Sequence, residues 1–313
     1  MYLEILSGVL NQNRRSIAKA ITHVENNTEI SPKLLSDIYK STGNSYRIGI
    51  TGPPGAGKSS LTDKLIKYFR TSGKSVGVVL IDPSSPYSGG AILGDRIRMI
   101  QHYDDEKVFI RSMASRGGKG GLAQSSKEVG DVLDAAGFDI IIFETVGVGQ
   151  VELDVVQTAD TVIVVLVPES GDDIQMMKAG LMEIADIFVI NKSDRPDSNK
   201  LYVSITNMLS VIAHDDITWI PKIIKTIANK ENGISDLMEN IELHNDYINN
   251  SDILTKKNVE RYKSKVKDII ITKQLSSFWT KDKINVLEKE LSKPNVNRKS
   301  PYELVEKLYP DDI

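Results

Sequence analysis

The fold is decided by YRIGITGPPGAGKSSLTDKLIKYFR, residues 46–70. A short apolar run, Tyr46 to Thr51, leads into Gly52-Pro53-Pro54-Gly55-Ala56-Gly57-Lys58-Ser59, and an amphipathic segment comes directly after. The eight residues match G-x-x-x-x-G-K-[ST] in full, between the strand and the helix that a phosphate-binding loop requires. Glycines let successive backbone N–H groups converge on phosphate oxygens, and the helix N-terminus adds partial positive charge. Lys58 is expected to reach the β- and γ-phosphates, and the hydroxyl of Ser59 to ligate Mg²⁺.

Outward from this loop, short runs rich in Ile and Val alternate with amphipathic segments. They are SVGVVLID (75–82), VFIRS (108–112), FDIIIFE (138–144), TVIVVLV (161–167), IADIFVI (184–190) and ITWI (217–220). Runs apolar on both faces predict strands of a parallel sheet covered on both sides, and the intervening lengths suit right-handed crossover helices. The expectation is an α/β fold: a P-loop G domain with a mostly parallel, doubly wound sheet at 45–245. Residues 1–44 carry apolar residues at helical spacing and predict a helical arm, with Pro32 in a first turn. Residues 246–313 predict a second helical arm, where Val259, Tyr262, Val266, Ile269 and Ile270 form a stripe that packs on its own domain or on a twin subunit, and a homodimer is expected.

The base is chosen elsewhere. Asn191-Lys192-Ser193-Asp194 comes after the run IFVI, at a strand C-terminus, where open α/β sheets bind ligands. A carboxylate only accepts hydrogen bonds, so Asp194 suits the N1–H and exocyclic amine of guanine and would be left unpaired by adenine. Lys192 has a stem to lie over the ring, and Asn191 an amide to tie this loop to the phosphate loop. Downstream, Ile227, Ala228 and Asn229 offer backbone N–H groups to the guanine oxygen.

Glu144 ends the run FDIIIFE, and Gly147 stands three residues on. An acid so placed holds Mg²⁺ while the glycine N–H faces the γ-phosphate. Asp82 and Asp95 read equally well as metal-side acids or as a strand-end cap and a solvated loop acid. Val148 stands where many GTPases carry a water-orienting glutamine, and Gln150 lies two residues later. Slow intrinsic hydrolysis is expected.

Composition narrows the rest. The 313 residues hold 39 Lys or Arg against 42 Asp or Glu, a net charge of −3, which gives no global reason to bind nucleic acid or an anionic membrane. Cysteine is absent, and His23, His102, His214 and His244 are scattered, which disfavours nickel insertion and thiol or zinc chemistry. No run approaches the ~20 apolar residues of a membrane span, and the first residues lack a signal-peptide pattern, so a cytoplasmic protein is expected.

The segments GPPGAGKSSL (52–61), DPSSPYSGGAILGDRIRM (82–99), RSMASRGGKGGLA (111–123), FETVGVGQVELDV (143–155) and NKSD (191–194) resemble the MeaB/ArgK family of P-loop GTPases. The resemblance runs to PYELVEKLY (301–309). It implies a GTP- and Mg²⁺-dependent chaperone of an adenosylcobalamin-dependent acyl-CoA mutase of the methylmalonyl-CoA type, with the cobalamin held by the mutase. It implies Gly52 to Ser60 on the phosphates, Lys58, Asp95, Glu144 and Gly147 at the chemistry, and Ser59, Asp82, Asp95 and Glu144 on the metal side. It also implies a C-terminal dimerisation arm and two switches, Gly147–Glu152 with Gln150 and Glu152, and Pro168–Lys178 with Asp172 and Lys178. Gly118-Lys119 and Val151 depart from the family pattern in these partner-responsive loops. The alternative reading is a nucleotide-dependent scaffold that hydrolyses little GTP.

Overall fold

Among the described residues, six of the apolar runs and one segment beyond them form seven strands of one all-parallel sheet: β1 (Tyr46–Thr51), β2 (Val76–Asp82), β3 (Val108–Ala114), β4 (Ile140–Thr145), β5 (Thr161–Leu166), β6 (Ile187–Ile190) and β7 (Lys222–Lys225). Their spatial order is β3-β2-β4-β1-β5-β6-β7. The structure is a computed structural model and describes residues 1–82, 99–114, 119–147, 154, 159–171, 181–211 and 218–309. Helices cover both faces, as the two-sided apolar strands demand. On one face α4 (Lys58–Thr71) and α8 (Ile234–Asn249) bury Leu61, Leu65, Leu237 and Ile241 against Ile48, Ile50 and Ile142. On the other, α5 (Lys119–Ala135) lies over Ile141 and Phe143 through Val129, Val132 and Leu133. Beside it, α6 (Leu181–Ile184) and α7 (Ser198–Val211) cover β5 and β6.

The first 44 residues form three helices, α1 (Tyr2–Leu10), α2 (Arg14–Glu25) and α3 (Ser31–Ile38). Asn13 caps α2 by accepting from the Ser16 N–H, and Pro32 occupies the first turn of α3. Ile17, Ile21, Leu34 and Ile38 are buried in the same cluster as Val132, Leu133 and Phe138. Where this segment enters β1, the N–H groups of Gly43, Asn44 and Ser45 all donate to the Asp134 carboxylate. The Arg47 guanidinium bridges Asp134 and Asp131, each at 2.9 Å. Burial works against that guanidinium's charge, but the two carboxylates outweigh it and raise its pKa.

The chain divides into two compact units, Met1–Leu254 and Thr255–Ile313. The second is helical, comprising most of α9 (Ile253–Phe278), then α10 (Lys281–Leu291) and α11 (Pro301–Leu308). Phe278 stacks on Tyr309 with Lys283 over its ring, and Ser300 and Glu303 form a capping box at the start of α11. Helix α9 buries none of its described residues, and Val259, Tyr262, Val266, Ile269 and Ile270 are exposed. Among the described residues no helix is long and apolar enough to cross a membrane.

Two strands differ from the sequence expectation. The last strand is Lys222–Lys225, not ITWI at 217–220. Pro221 has no N–H for a ladder, and Trp219 is used as a packing residue instead. Its indole donates to the Asp186 carbonyl and sits edge-on to His244. In IADIFVI only Ile187–Ile190 is strand, because Ile184 still belongs to α6.

Candidate nucleotide site

The C-terminal ends of β1, β4, β5, β6 and β7 converge on the phosphate loop, and the segments leaving these strands build the site. After β1 the loop turns through Gly52 at φ +146, where a Cβ would stand 2.0 Å from the Val165 carbonyl oxygen. Gly57, at φ +90, opens α4, and a Cβ there would meet the Asn191 amide nitrogen at 2.3 Å. Only glycine lets strand β5 and Asn191 come this close. The Pro53-Pro54-Gly55-Ala56 stretch lies between them, with the Ala56 N–H donating to the Pro53 carbonyl.

Lys58 is buried, and its ammonium donates to the carbonyls of Gly52, Pro53 and Val146 at 2.6, 2.9 and 3.1 Å. The next residue, Ser59, donates its hydroxyl to Glu144 at the end of β4 at 2.6 Å, and both are buried. A hydroxyl and a carboxylate side by side at a helix N-terminus are hard oxygen donors. Such a pair fits Mg²⁺, which binds one or two protein oxygens and fills its shell with water and phosphates. Among the described residues no group of three or more His, Asp or Glu is placed to hold a metal by itself.

After β6, Asn191 is the keystone of the base loop. Its amide nitrogen donates to the Ala56 carbonyl at 2.9 Å. Its oxygen accepts from the Thr226 hydroxyl at 3.0 Å and the Ala228 N–H at 3.1 Å. One buried side chain therefore joins the phosphate loop, the base loop and the segment after β7. Lys192, at φ +56, reaches across to the Gly55 carbonyl at 2.8 Å. Asp194 is exposed, with the Lys230 ammonium 3.5 Å from its carboxylate. The N–H of Ile227 donates to Asn232, and that of Ala228 to Asn191, so these two amides brace the loop, with Asn229 next in the turn.

Asp82 ends β2, which pairs with β4 so that Ile81 lies opposite Thr145. Asp95, Val148, Gln150, Val151, Glu152, Asp172, Lys178 and Gly118 lie outside the described residues. The structure adds residues that motif reading passed over. Thr51 and Thr145, both fully buried, direct their hydroxyls to the Gly147 carbonyl. Arg195, next to the base loop, pairs with Glu169 after β5 and holds that carboxyl below its usual range. The signal for the threonines was a polar residue closing each of two apolar strands.

If Asp194 reads guanine, replacing it by Asn sets an amide donor against the donors of the base. Asp194→Asn is expected to weaken GTP and GDP alike by ~1–3 kcal/mol, read by calorimetry. A wild type that binds ATP as tightly as GTP would show that Asp194 does not select the base.

Three comparisons bear on this site. Residues 17–283 match the sequence profile of the family described as Methylmalonyl Co-A mutase-associated GTPase MeaB. A putative GTPase of Pyrococcus abyssi is 49% identical over 269 residues, covering 85% of this chain and 83% of that protein. GTPase ArgK of Escherichia coli is 37% identical over 231 residues, 72% of this chain and 70% of that one. The methylmalonic aciduria type A homolog of Mus musculus, described as mitochondrial, is 29% identical over 315 residues, 95% of this chain and 73% of its own. A crystal structure described as an LAO/AO transport system kinase matches with a TM-score of 0.71 at 25% identity, covering 98% of this chain and 96% of that chain.

Proposed function

Since the chain belongs to the MeaB family of methylmalonyl-CoA mutase-associated GTPases, we propose that its GTP cycle gates adenosylcobalamin loading of such a mutase and protects it from inactivation. The observation that carries this reading is the family match across 17–283, joined to a phosphate loop and a guanine-type loop locked together by Asn191. The cobalamin belongs to the mutase, and the protein works in the cytoplasm.

Within the site, Gly52 to Ser60 hold the phosphates and Asp194 reads the base. Ser59 and Glu144 hold Mg²⁺, with Asp82 and Asp95 as further acids on that side. The metal, when bound, neutralises charge that develops on the phosphoryl oxygens. Lys58 transfers its three carbonyl bonds to phosphate oxygens. Gly147 to Glu152 and Pro168 to Lys178 respond to the nucleotide and face the mutase.

Docking on the mutase closes these segments over the phosphates and excludes bulk water, which raises turnover ~10–100-fold. The test is GTP hydrolysis measured with and without a saturating cognate mutase. Turnover that the mutase leaves unchanged rules out gating, and very low turnover in both cases favours a nucleotide-dependent scaffold.

The exposed stripe on α9 seats a second copy of the chain. Five apolar side chains within one helix, none buried, need a cover of the same kind. Light scattering on the full chain should read a dimer at micromolar concentration, and a monomer there removes the proposal.

A further inference from the structure

Two carbonyls of the turn after Glu144 are held by groups of different kinds. The Val146 carbonyl accepts from the Lys58 ammonium at 3.1 Å. The Gly147 carbonyl accepts from the Thr145 hydroxyl at 3.0 Å and the Thr51 hydroxyl at 3.2 Å, and the two hydroxyls are themselves 3.1 Å apart. Thr51 is the residue before the phosphate loop and Thr145 the residue after Glu144, so this clamp ties the exits of β1 and β4 to one backbone oxygen. Both side chains have no exposed surface. Buried hydroxyls need a partner, and each has a single proton to give.

The orientation of the next peptide is set by planarity. In a trans peptide the C=O and the N–H point in opposite directions. The Val146 carbonyl points at the Lys58 ammonium, so the Gly147 N–H points away from it. A γ-phosphate arriving at Lys58 displaces the Val146 carbonyl. To receive a hydrogen bond from Gly147, it requires the 146–147 peptide plane to turn over. Such a turn moves one plane between two α-carbons and costs least where the second residue is glycine. It proceeds cleanly only if the 147–148 plane stays fixed, and that plane carries the oxygen the two threonines hold.

We propose that Thr51 and Thr145 are positioning residues, a hydroxyl pivot that fixes the Gly147 carbonyl while the 146–147 peptide turns, and that this pivot sets the protein's preference for GTP over GDP. The proposal rests on the reading of this site as a guanine-nucleotide site with Gly147 facing the γ-phosphate. GDP has no γ-phosphate and leaves the Val146 carbonyl on Lys58, so the pivot is silent in GDP binding.

The experiment is calorimetry on the full chain with Mg²⁺, using GDP and the non-hydrolysable β,γ-imido analogue of GTP. Thr145→Val keeps the branched shape and removes the hydroxyl. It should weaken the analogue about tenfold and leave GDP within about twofold, the scale of one lost hydrogen bond. Thr51→Val should act in the same direction, and Thr145→Ser should restore the analogue. An equal loss for both nucleotides, or an unchanged analogue, makes the pair merely structural and overturns the proposal. Tighter analogue binding also overturns it, because the pair would then be a latch on the GDP-like state. If Thr145→Val does not fold, Thr51→Val and Thr145→Ser decide on the same criteria. A wild type that binds neither nucleotide defeats the underlying reading instead.

Discussion

Lys58→Ala is expected to lower single-turnover GTP hydrolysis by about 10²–10³-fold, the range for losing one fixed donor to a developing negative charge. The loss should be the same whether or not a mutase is present. The ammonium is buried and already desolvated, and it is held by three carbonyls at 2.6–3.1 Å. A cation kept in this way needs little reorganisation when phosphate oxygens replace those carbonyls. The guanine contact proposed for Asp194 and the loop bridge made by Asn191 do not involve Lys58, so nucleotide binding should weaken far less than turnover. Rapid-quench measurement under saturating GTP separates the two. A variant that turns over at the wild-type rate once saturated would mean that Lys58 only binds, and that charge neutralisation at the γ-phosphate comes from elsewhere.

Most of the sheet was legible because a parallel strand buried on both faces must be a short run of Ile and Val. Six of the seven runs coincide with strands to within a few residues. The seventh was misplaced because ITWI has strand composition but precedes Pro221, and Trp219 gains more from packing on His244 and bonding the Asp186 carbonyl than from a ladder. The phosphate and base loops were legible as motifs, since their chemistry dictates residue types at fixed spacing. Motif reading did not reach the roles of Thr51, Thr145 and Thr226. Thr51 and Thr226 aim their hydroxyls at Gly147 and Asn191, distant in sequence, and Thr145, which bonds Gly147 two residues on, meets Thr51 only because β1 and β4 are neighbours. The same holds for Asp134, which composition would place on a solvated helix face and which is instead buried.

Asp134→Ala is expected to cost about 3–5 kcal/mol of stability, the range for breaking a buried ion pair from one side. Asp134 is fully buried as a side chain and accepts from the N–H groups of Gly43, Asn44 and Ser45 while pairing with Arg47 at 2.9 Å. Alanine would leave three backbone donors without this acceptor and a buried guanidinium with Asp131 as its remaining carboxylate partner. Asp131 is less buried, at 16% side-chain exposure, and lacks the three backbone bonds, so Asp131→Ala should cost clearly less. The hub holds the first residues of β1, whereas the phosphate loop begins after its last residue, Thr51. Six residues of strand put the two ends ~20 Å apart. A variant still folded at low temperature should therefore bind GDP nearly as the wild type does, while its urea midpoint falls sharply. If Asp134→Ala leaves that midpoint within error, the three amides have found other acceptors, and the N-terminal helices are held by their apolar contacts and by the Arg14 and Glu25 bonds to the 105–111 segment.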